Sequence, residues 1–419
     1  LGDLGVESAW WGSVVLFIGI LSALLGVAYA LMEHNIKRLL AFHSVENIGI
    51  ILIGLGVSFM ALAGGHQVLG GLALTAALLH TFNHALFKGG LFLGAGSMQY
   101  ATGTKDIEKL GGLIRRMPVT ACLVLCFSLA ISALVPFNGF ISEWLTYQAL
   151  LTHILSEPAG MSLLSILAVA ALGMTGALAA ACFVKLFGIS FLGLPRSSAA
   201  EQAREVPWTM GLGMGILAVL CLGIGLYPWG AVRLLDPVIT GMLGSSTLGT
   251  LSGNLVLLVD RSALAGASAQ SVSLLSPLIF LGILTAMIII SLMMIRIFGG
   301  RYIERRYGTW DCGFEALNAR MQYSATGFSK PLRIVFRMLF RPSRLTTVEG
   351  NTYHPDAIHY SVSVISLFEE YMYHPLIRLS KRLSKSAKFH VQTGNIHTYL
   401  LYIFLAIIVL MLYYRLMPS

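Results

Sequence analysis

Apolar runs long enough for a bilayer-spanning helix of about 20 residues recur along the chain, divided by short polar connections. They predict about eight spans, over 10–32, 44–64, 69–97, 118–151, 163–192, 208–227, 274–298 and 397–416. The connections after the first, third and fifth spans hold Lys37 and Arg38; Lys105, Lys109, Arg115 and Arg116; and Arg196 and Arg204. Those after the second and fourth hold no Lys or Arg, and 228–273 holds only Arg233 and Arg261. Because basic residues are retained on the cytoplasmic side, the odd-numbered spans are expected to end in the cytoplasm.

Polar residues inside the apolar runs change this picture most. In the third span, GLALTAALLHTFNHALFKGGLFLGAG, His80, His84 and Lys88 stand four residues apart and share one helix stripe, with about 6 Å of rise per step. An ionisable group at that depth is costly unless it faces a partner or a wet cavity. The stripe therefore reads as a path for a small cation, H⁺ first. Structural packing between helices and metal binding are the alternatives, the latter weakened by the lack of a nearby acid or thiol ligand.

The fourth span is interrupted by Pro136, Asn138 and Gly139. Proline removes a backbone hydrogen bond and clashes with the preceding turn, so a break is expected over 134–139. Broken helices inside membranes occur where the freed backbone is buried in protein or lines water. Glu143 follows one turn later, a carboxylate near mid-span with Lys88 as a candidate partner. Glu46 lies just inside the second span and, with Glu33, His34 and His43, marks a possible proton entrance. Lys185, near the end of the fifth span, reads as a lysine reaching back to the membrane surface.

After the seventh span the character shifts. Residues 296–396 hold 15 of the 28 Lys and Arg but only 7 of the 19 acids, a surplus that makes up nearly all of the +9 net charge. Ile358, Val362, Ile365, Phe368, Met372, Leu379 and Leu383 recur at helical spacing with a slip near Pro375, and the basic run 378–388 overlaps their end. This predicts an amphipathic helix on the membrane surface or along a partner. Nucleic-acid binding is disfavoured because the basic residues sit beside spans. The segment TWDCGFEALNARMQYSATGFSKPL has no chemical reading of its own.

Composition agrees: the chain is 56% hydrophobic and 11% charged, about half the charged share of a soluble domain. The expected fold class is an all-α polytopic membrane protein. The five cysteines, Cys122, Cys126, Cys182, Cys221 and Cys312, lie mostly in apolar spans and form no CxxC pair. No phosphate loop, haem or iron–sulfur ligand set, or nucleophile triad is present, so no redox centre is expected in the chain. It begins LGDLGVESAWW, without Met or signal peptide, and reads as a fragment or processed form.

The motifs EHNIKRLLAFHSVENIGI, LLHTFNHALFKGGLFLGAGS, TKDIEKLGGL and VPFNGFISEW, in this order, resemble the antiporter-like membrane subunits of complex I, Mrp antiporters and membrane-bound hydrogenases. HSVENIG, MQYSATGFSKPL and TGNIHTYLLYIFLA are most similar to the hydrogenase-4 and formate hydrogenlyase branch. The resemblance implies that the first span matches the ninth helix of a fourteen-helix core, with the N-terminal half and its half-channel absent. It places His80, His84 and Lys88 on a central hydrophilic axis, Glu143 at the acid-or-lysine position of the broken helix, and Lys37 at the lysine of an Asp-Ile-Lys-Arg turn. Asn35 stands where that turn has Asp. The basic segment and last span are similar to a lateral helix and its anchor.

The expected function is that of a proton-translocating membrane subunit of an energy-converting hydrogenase, in the bacterial inner membrane. Nickel–iron and iron–sulfur centres are expected in partner subunits and none here. A Na⁺(K⁺)/H⁺ antiporter subunit, a complex I-type subunit and a scaffold with locked inner charges are the alternatives. The expected divisions are a core over 1–228, a periplasmic loop over 229–273, a span over 274–298, a basic cytoplasmic segment over 299–396 and an anchor over 397–419.

Overall fold

A computed structural model describes residues 8–156, 159–244, 246, 251–252, 257–260, 272–299, 313, 317–351, 353–364, 368–392 and 394–416. The WDC part of the unexplained segment, with Cys312, lies outside them. The chain divides into two units, Leu1–Leu332 and Arg333–Ser419.

The first unit is a helical bundle. Its helices are α1 (Ala9–Met32), α2 (Ile36–Ala63), α3 (Gln67–Thr102), α4 (Pro118–Ile131), α5 (Asn138–Ser156), α6 (Ala159–Phe191), α7 (Trp208–Leu226), α8 (Pro228–Leu243), α9 (Pro277–Phe298) and α10 (Ala325–Val335). Short antiparallel strands join Leu251–Ser252, Leu257–Asp260 and Val272–Leu275. In the second unit, the hairpin Ser343–Gly350/Pro355–Ser363 precedes α11 (His374–Val391) and α12 (Ile396–Leu416). Among the described residues six helices, α1, α2, α6, α7, α9 and α12, are long and apolar enough to cross a membrane. The chain is the multi-pass, all-α membrane protein that its hydropathy predicts.

The α1/α2 pair is built on glycine. Gly12, Gly19 and Gly26 recur every seventh residue on α1, and Gly49 and Gly56 do the same on α2. A Cβ on Gly26 would lie 2.5 Å from the Glu46 backbone nitrogen, and one on Gly56 would lie 2.6 Å from that of Leu16. The two backbones thus touch directly, which within a membrane replaces the missing hydrophobic drive by close packing. The helix start is fixed chemically: Asn35 Oδ1 accepts from the Lys37 and Arg38 amides, at 3.0 and 3.4 Å. Asn caps as well as Asp does, so α2 begins at Ile36, ahead of the predicted 44. Asn35→Ala is expected to lower stability by about 1 kcal/mol, read as a shift in thermal unfolding in detergent.

The break falls over 132–137, between α4 and α5. Ala133 has φ +50°, a left-handed turn that costs a non-glycine residue about 1–2 kcal/mol. Local hydrogen bonds satisfy most of the loosened backbone, among them Leu134 N–H to Leu129 O at 3.1 Å and Phe137 N–H to Leu134 O at 3.0 Å. The break is covered by α7: a Cβ on Gly225 would lie 2.6 Å from the Phe137 carbonyl carbon. The interruption is therefore buried against protein.

Three departures from the sequence reading have plain causes. Pro228–Leu243, in the stretch expected to be a loop, is a helix that opens on Pro228 at its first turn and buries Val232 and Ile239. The amphipathic helix is present at His374–Val391, but Ile358 and Val362 belong to a strand, paired with Val348 and Arg344. Alternation and helical spacing coincide at positions four apart, so the spacing alone did not separate them. Finally, Lys185 does not reach for the surface. It is 1% exposed and donates to Leu31 O and Glu33 O at 2.7 and 2.8 Å, closing the carbonyl end of α1, where a cation is favoured.

The basic connections after α1, α3 and α6 are knitted together. Ile36 N–H donates to Lys105 O at 2.9 Å and Ile107 N–H to His34 O at 3.0 Å; Ser197 Oγ donates to Lys109 O at 2.7 Å. Their common location agrees with the charge bias that assigns all of them to one side of the membrane. The MQYSATGF sequence clips onto this surface: Gln322 bonds Leu194 through both its N–H and C=O, each at 2.9 Å. Glu108 accepts from the Ala325 and Thr326 amides at 3.2 and 2.7 Å and from the Thr326 hydroxyl at 2.8 Å.

Candidate functional site

The site begins with α3, which packs against α2, α4, α5, α7 and α8 and carries the polar stripe. His80 is 1% exposed and Lys88 5%, while His84 is half-buried. Gly90, two residues beyond Lys88, has the Phe127 ring where a Cβ would stand, and Gly94 faces Val124. Small residues thus let α4 pack closely against α3 beside the stripe.

His80 is the hub. Its Nε2 lies 3.2 Å from Asn47 Oδ1 on α2 and its Nδ1 lies 2.9 Å from Ser142 Oγ on α5. Asn47 Nδ2 donates to His43 O at 2.8 Å, and the His43 ring is hydrogen-bonded through Nδ1 to Glu46. On the other side, Asn83 Nδ2 donates to Ser142 Oγ at 3.1 Å and to Asn138 O at 2.9 Å, and Asn138 Nδ2 donates to Asn83 Oδ1 at 3.1 Å. A buried polar series therefore runs from Glu46 and His43 through Asn47, His80 and Ser142 to Asn83 and Asn138, the first residue after the break. The broken helix matters because it brings backbone and side-chain polarity together at Asn138–Ser142.

The predicted residues are not all in one chain of hydrogen bonds. Glu143, 8% exposed, follows Ser142 directly but forms no ion pair with Lys88 among the described residues. Glu46 is 2% exposed, and so belongs to the buried row instead of to an open funnel. Lys88 Nζ and His84 Nε2 have no hydrogen-bond partner among the described residues. Lys37 is exposed in the first turn of α2, outside the row. His34 and Glu33 separate from His43: Glu33 pairs with Arg38 at 3.2 Å, and His34 lies 3.9 Å from Glu108. Among the described residues no three His, Cys, Asp or Glu side chains gather in a metal-holding group.

Asn47, Asn83 and Ser142 escaped the sequence reading. Being uncharged they carry no depth penalty large enough to stand out, and their partners come from other helices.

Outside the spans, burial pulls the Glu108 carboxyl upward, but hydrogen bonds from Thr326 and Ala325, and the nearby His34, outweigh it and hold it below its ordinary value. A lowered carboxyl stabilises the clip above the ordinary value, and that contribution is lost as pH falls through the folded one. Protection of the Thr326 amide, taken relative to its intrinsic exchange rate at each pH, is therefore expected to persist through the ordinary carboxylate range and to fall only below it.

Residues 3–175 match the family described as NADH:quinone oxidoreductase/Mrp antiporter, transmembrane. It is 40% identical over 96% of its length to hydrogenase-4 component B of Escherichia coli K12, covering 59% of that protein. It is 37% identical over 79% of its length to formate hydrogenlyase subunit 3 of the same organism, covering 51%. Among solved structures it is similar to a chain of the membrane-bound sulfane sulfur reductase, an archaeal respiratory membrane complex, with TM-score 0.66, 25% identity, and 96% and 56% of the two chains covered. The chain spans a little over half the length of these relatives.

Proposed function

We propose that this chain is a proton-translocating membrane subunit of an energy-converting hydrogenase complex of the hydrogenase-4 or formate hydrogenlyase type, in a bacterial inner membrane. The observation that carries the proposal is the buried row Glu46–His43–Asn47–His80–Ser142–Asn83–Asn138, which crosses α2, α3 and α5 inside an apolar bundle. Glu46 takes up and releases protons beside His43, His80 relays them, Lys88 and His84 hold charge on the same stripe, and Glu143 serves the far side of the break. Lys37 sits at the basic surface as the row's outer electrostatic neighbour. Lys88 Nζ and His84 Nε2, buried atoms with no hydrogen-bond partner among the described residues, call for hydration, which suits proton exchange. In a low-dielectric interior, a charge moved in a partner subunit shifts each titrating group in turn.

Nickel–iron and iron–sulfur centres belong to partner subunits in this reading, and this chain supplies the ion path alone. Relatedness to hydrogenase subunits over most of the chain favours this over exchange without redox partners. The test is to purify the chain with its native partners, reconstitute it in sealed vesicles and supply electrons. Hydrogenase activity with inward or outward H⁺ movement is expected. A complex without a nickel–iron module that exchanges Na⁺ for H⁺ would overturn the proposal.

A further inference from the structure

The hydrogen bonds around His80 admit two proton arrangements, and only two. Asn47 Nδ2 lies 2.8 Å from His43 O, a carbonyl that only accepts, so the amide cannot be turned round without placing two acceptors together. Asn47 Oδ1 therefore faces His80 Nε2 and requires a hydrogen there. Ser142 Oγ already accepts from Asn83 Nδ2, whose orientation is fixed in turn by Asn138 O. The single Ser142 hydroxyl hydrogen has two acceptors within reach: His80 Nδ1 at 2.9 Å and Gly139 O at 3.1 Å. When it points at Nδ1, His80 is neutral. When it points at Gly139 O, the freed lone pair of Ser142 accepts a hydrogen from Nδ1, and His80 is an imidazolium. Both arrangements keep the His80 ring nitrogens, the Asn47 amide and the Ser142 hydroxyl bonded, so changing the charge of His80 unpairs no further buried donor or acceptor, which would cost about 1–3 kcal/mol.

We propose that Asn47 and Ser142 are positioning residues that make His80 a one-sided proton acceptor: Asn47 pins Nε2–H, and the Ser142 hydroxyl turns between Nδ1 and Gly139 O as Nδ1 loses and gains a proton. The proton comes from a hydronium ion or a carboxylic acid and returns to water or a carboxylate; the ring gains one N–H bond and one positive charge, and the hydroxyl keeps its hydrogen throughout. The charged and titratable groups around the ring are His84 and Lys88 on α3, His43 and Glu46 on α2, and Glu143 on α5. Because Ser142 stands in the first turns of the helix that resumes after the break, the hydroxyl links the charge of His80 to the Gly139 carbonyl in that helix's first turn. The inference makes His80 a proton store on the proposed path, loaded and unloaded at Nδ1, and rests on that reading for its purpose, though not for its geometry.

The test is solid-state nitrogen NMR of the assembled complex with ring-labelled histidine, His80 being assigned by the signal lost in His80→Gln. Neutral His80 is expected as the Nε2–H form. Ser142→Ala is expected to lower the protonation constant of His80 about tenfold, with Ser142→Thr restoring it, and Asn47→Leu is expected to give a mixture of the two neutral forms. A neutral His80 protonated at Nδ1, or an unchanged protonation constant in Ser142→Ala, would overturn the inference. If the spectra behave as expected while H⁺ transport is unchanged in Ser142→Ala, the hydroxyl switch stands and the transport role of His80 falls.

Discussion

Lys88→Arg in the assembled complex is expected to stop proton translocation although the charge is kept. Arg cannot give up its proton in a protein, whereas a lysine ammonium in an apolar bundle can. Lys88 is 5% exposed and shares a stripe with His84 and His80. A positioned proton carrier contributes roughly 10²-fold or more to a transfer step, so H⁺ transport should fall by at least that factor, with electron transfer in the partners retained. Lys88→Met should fail equally. A scaffold whose charges are locked in pairs behaves differently: there Arg would preserve function and Met would impair assembly. Comparing the two variants by H⁺ uptake into vesicles and by complex yield separates these accounts.

Gly225→Val is expected to prevent stable folding of the bundle. The added carbons meet the carbonyl of Pro136 and the backbone of Phe137, rigid groups that no rotamer change can relieve. Overpacking typically costs 1–3 kcal/mol, and against a backbone about 3 kcal/mol or more is expected. Gly213→Ala on the same helix is the control, since nothing lies within 4 Å of its added carbon. It should unfold at the same temperature as the parent or slightly above it. Thermal unfolding in detergent, followed by circular dichroism, reads both.

Much of this was legible in the sequence, for identifiable reasons. Hydropathy gives the spans because lipid demands long apolar runs, and Pro136 gives the break because proline forbids the helical bond at one known place. The stripe of His80, His84 and Lys88 stood out because charge at depth is rare. What stayed hidden depends on neighbours distant in sequence. Asn47 and Ser142 meet His80 from 33 and 62 residues away, and no local pattern links them. Hydropathy reports how deep Lys185 lies but not which way it points, so its bonds to Leu31 O and Glu33 O could not be foreseen. Depth alone pairs Glu143 with Lys88, whereas Lys88 Nζ has no hydrogen-bond partner among the described residues. The MQYSATGF residues lacked a reading because their role is to bond loop backbone and the carboxylate of Glu108, and neither leaves a motif.

The central claim is that the buried row through His80 carries protons, and the measurement that tests it most directly is the number of H⁺ moved per electron in sealed vesicles containing the assembled complex, with and without His80→Gln. Glutamine keeps a donor and an acceptor for Asn47 and Ser142 but cannot hold an extra proton. A lower H⁺-to-electron ratio at undiminished electron transfer is the predicted result, and an unchanged ratio would contradict the account.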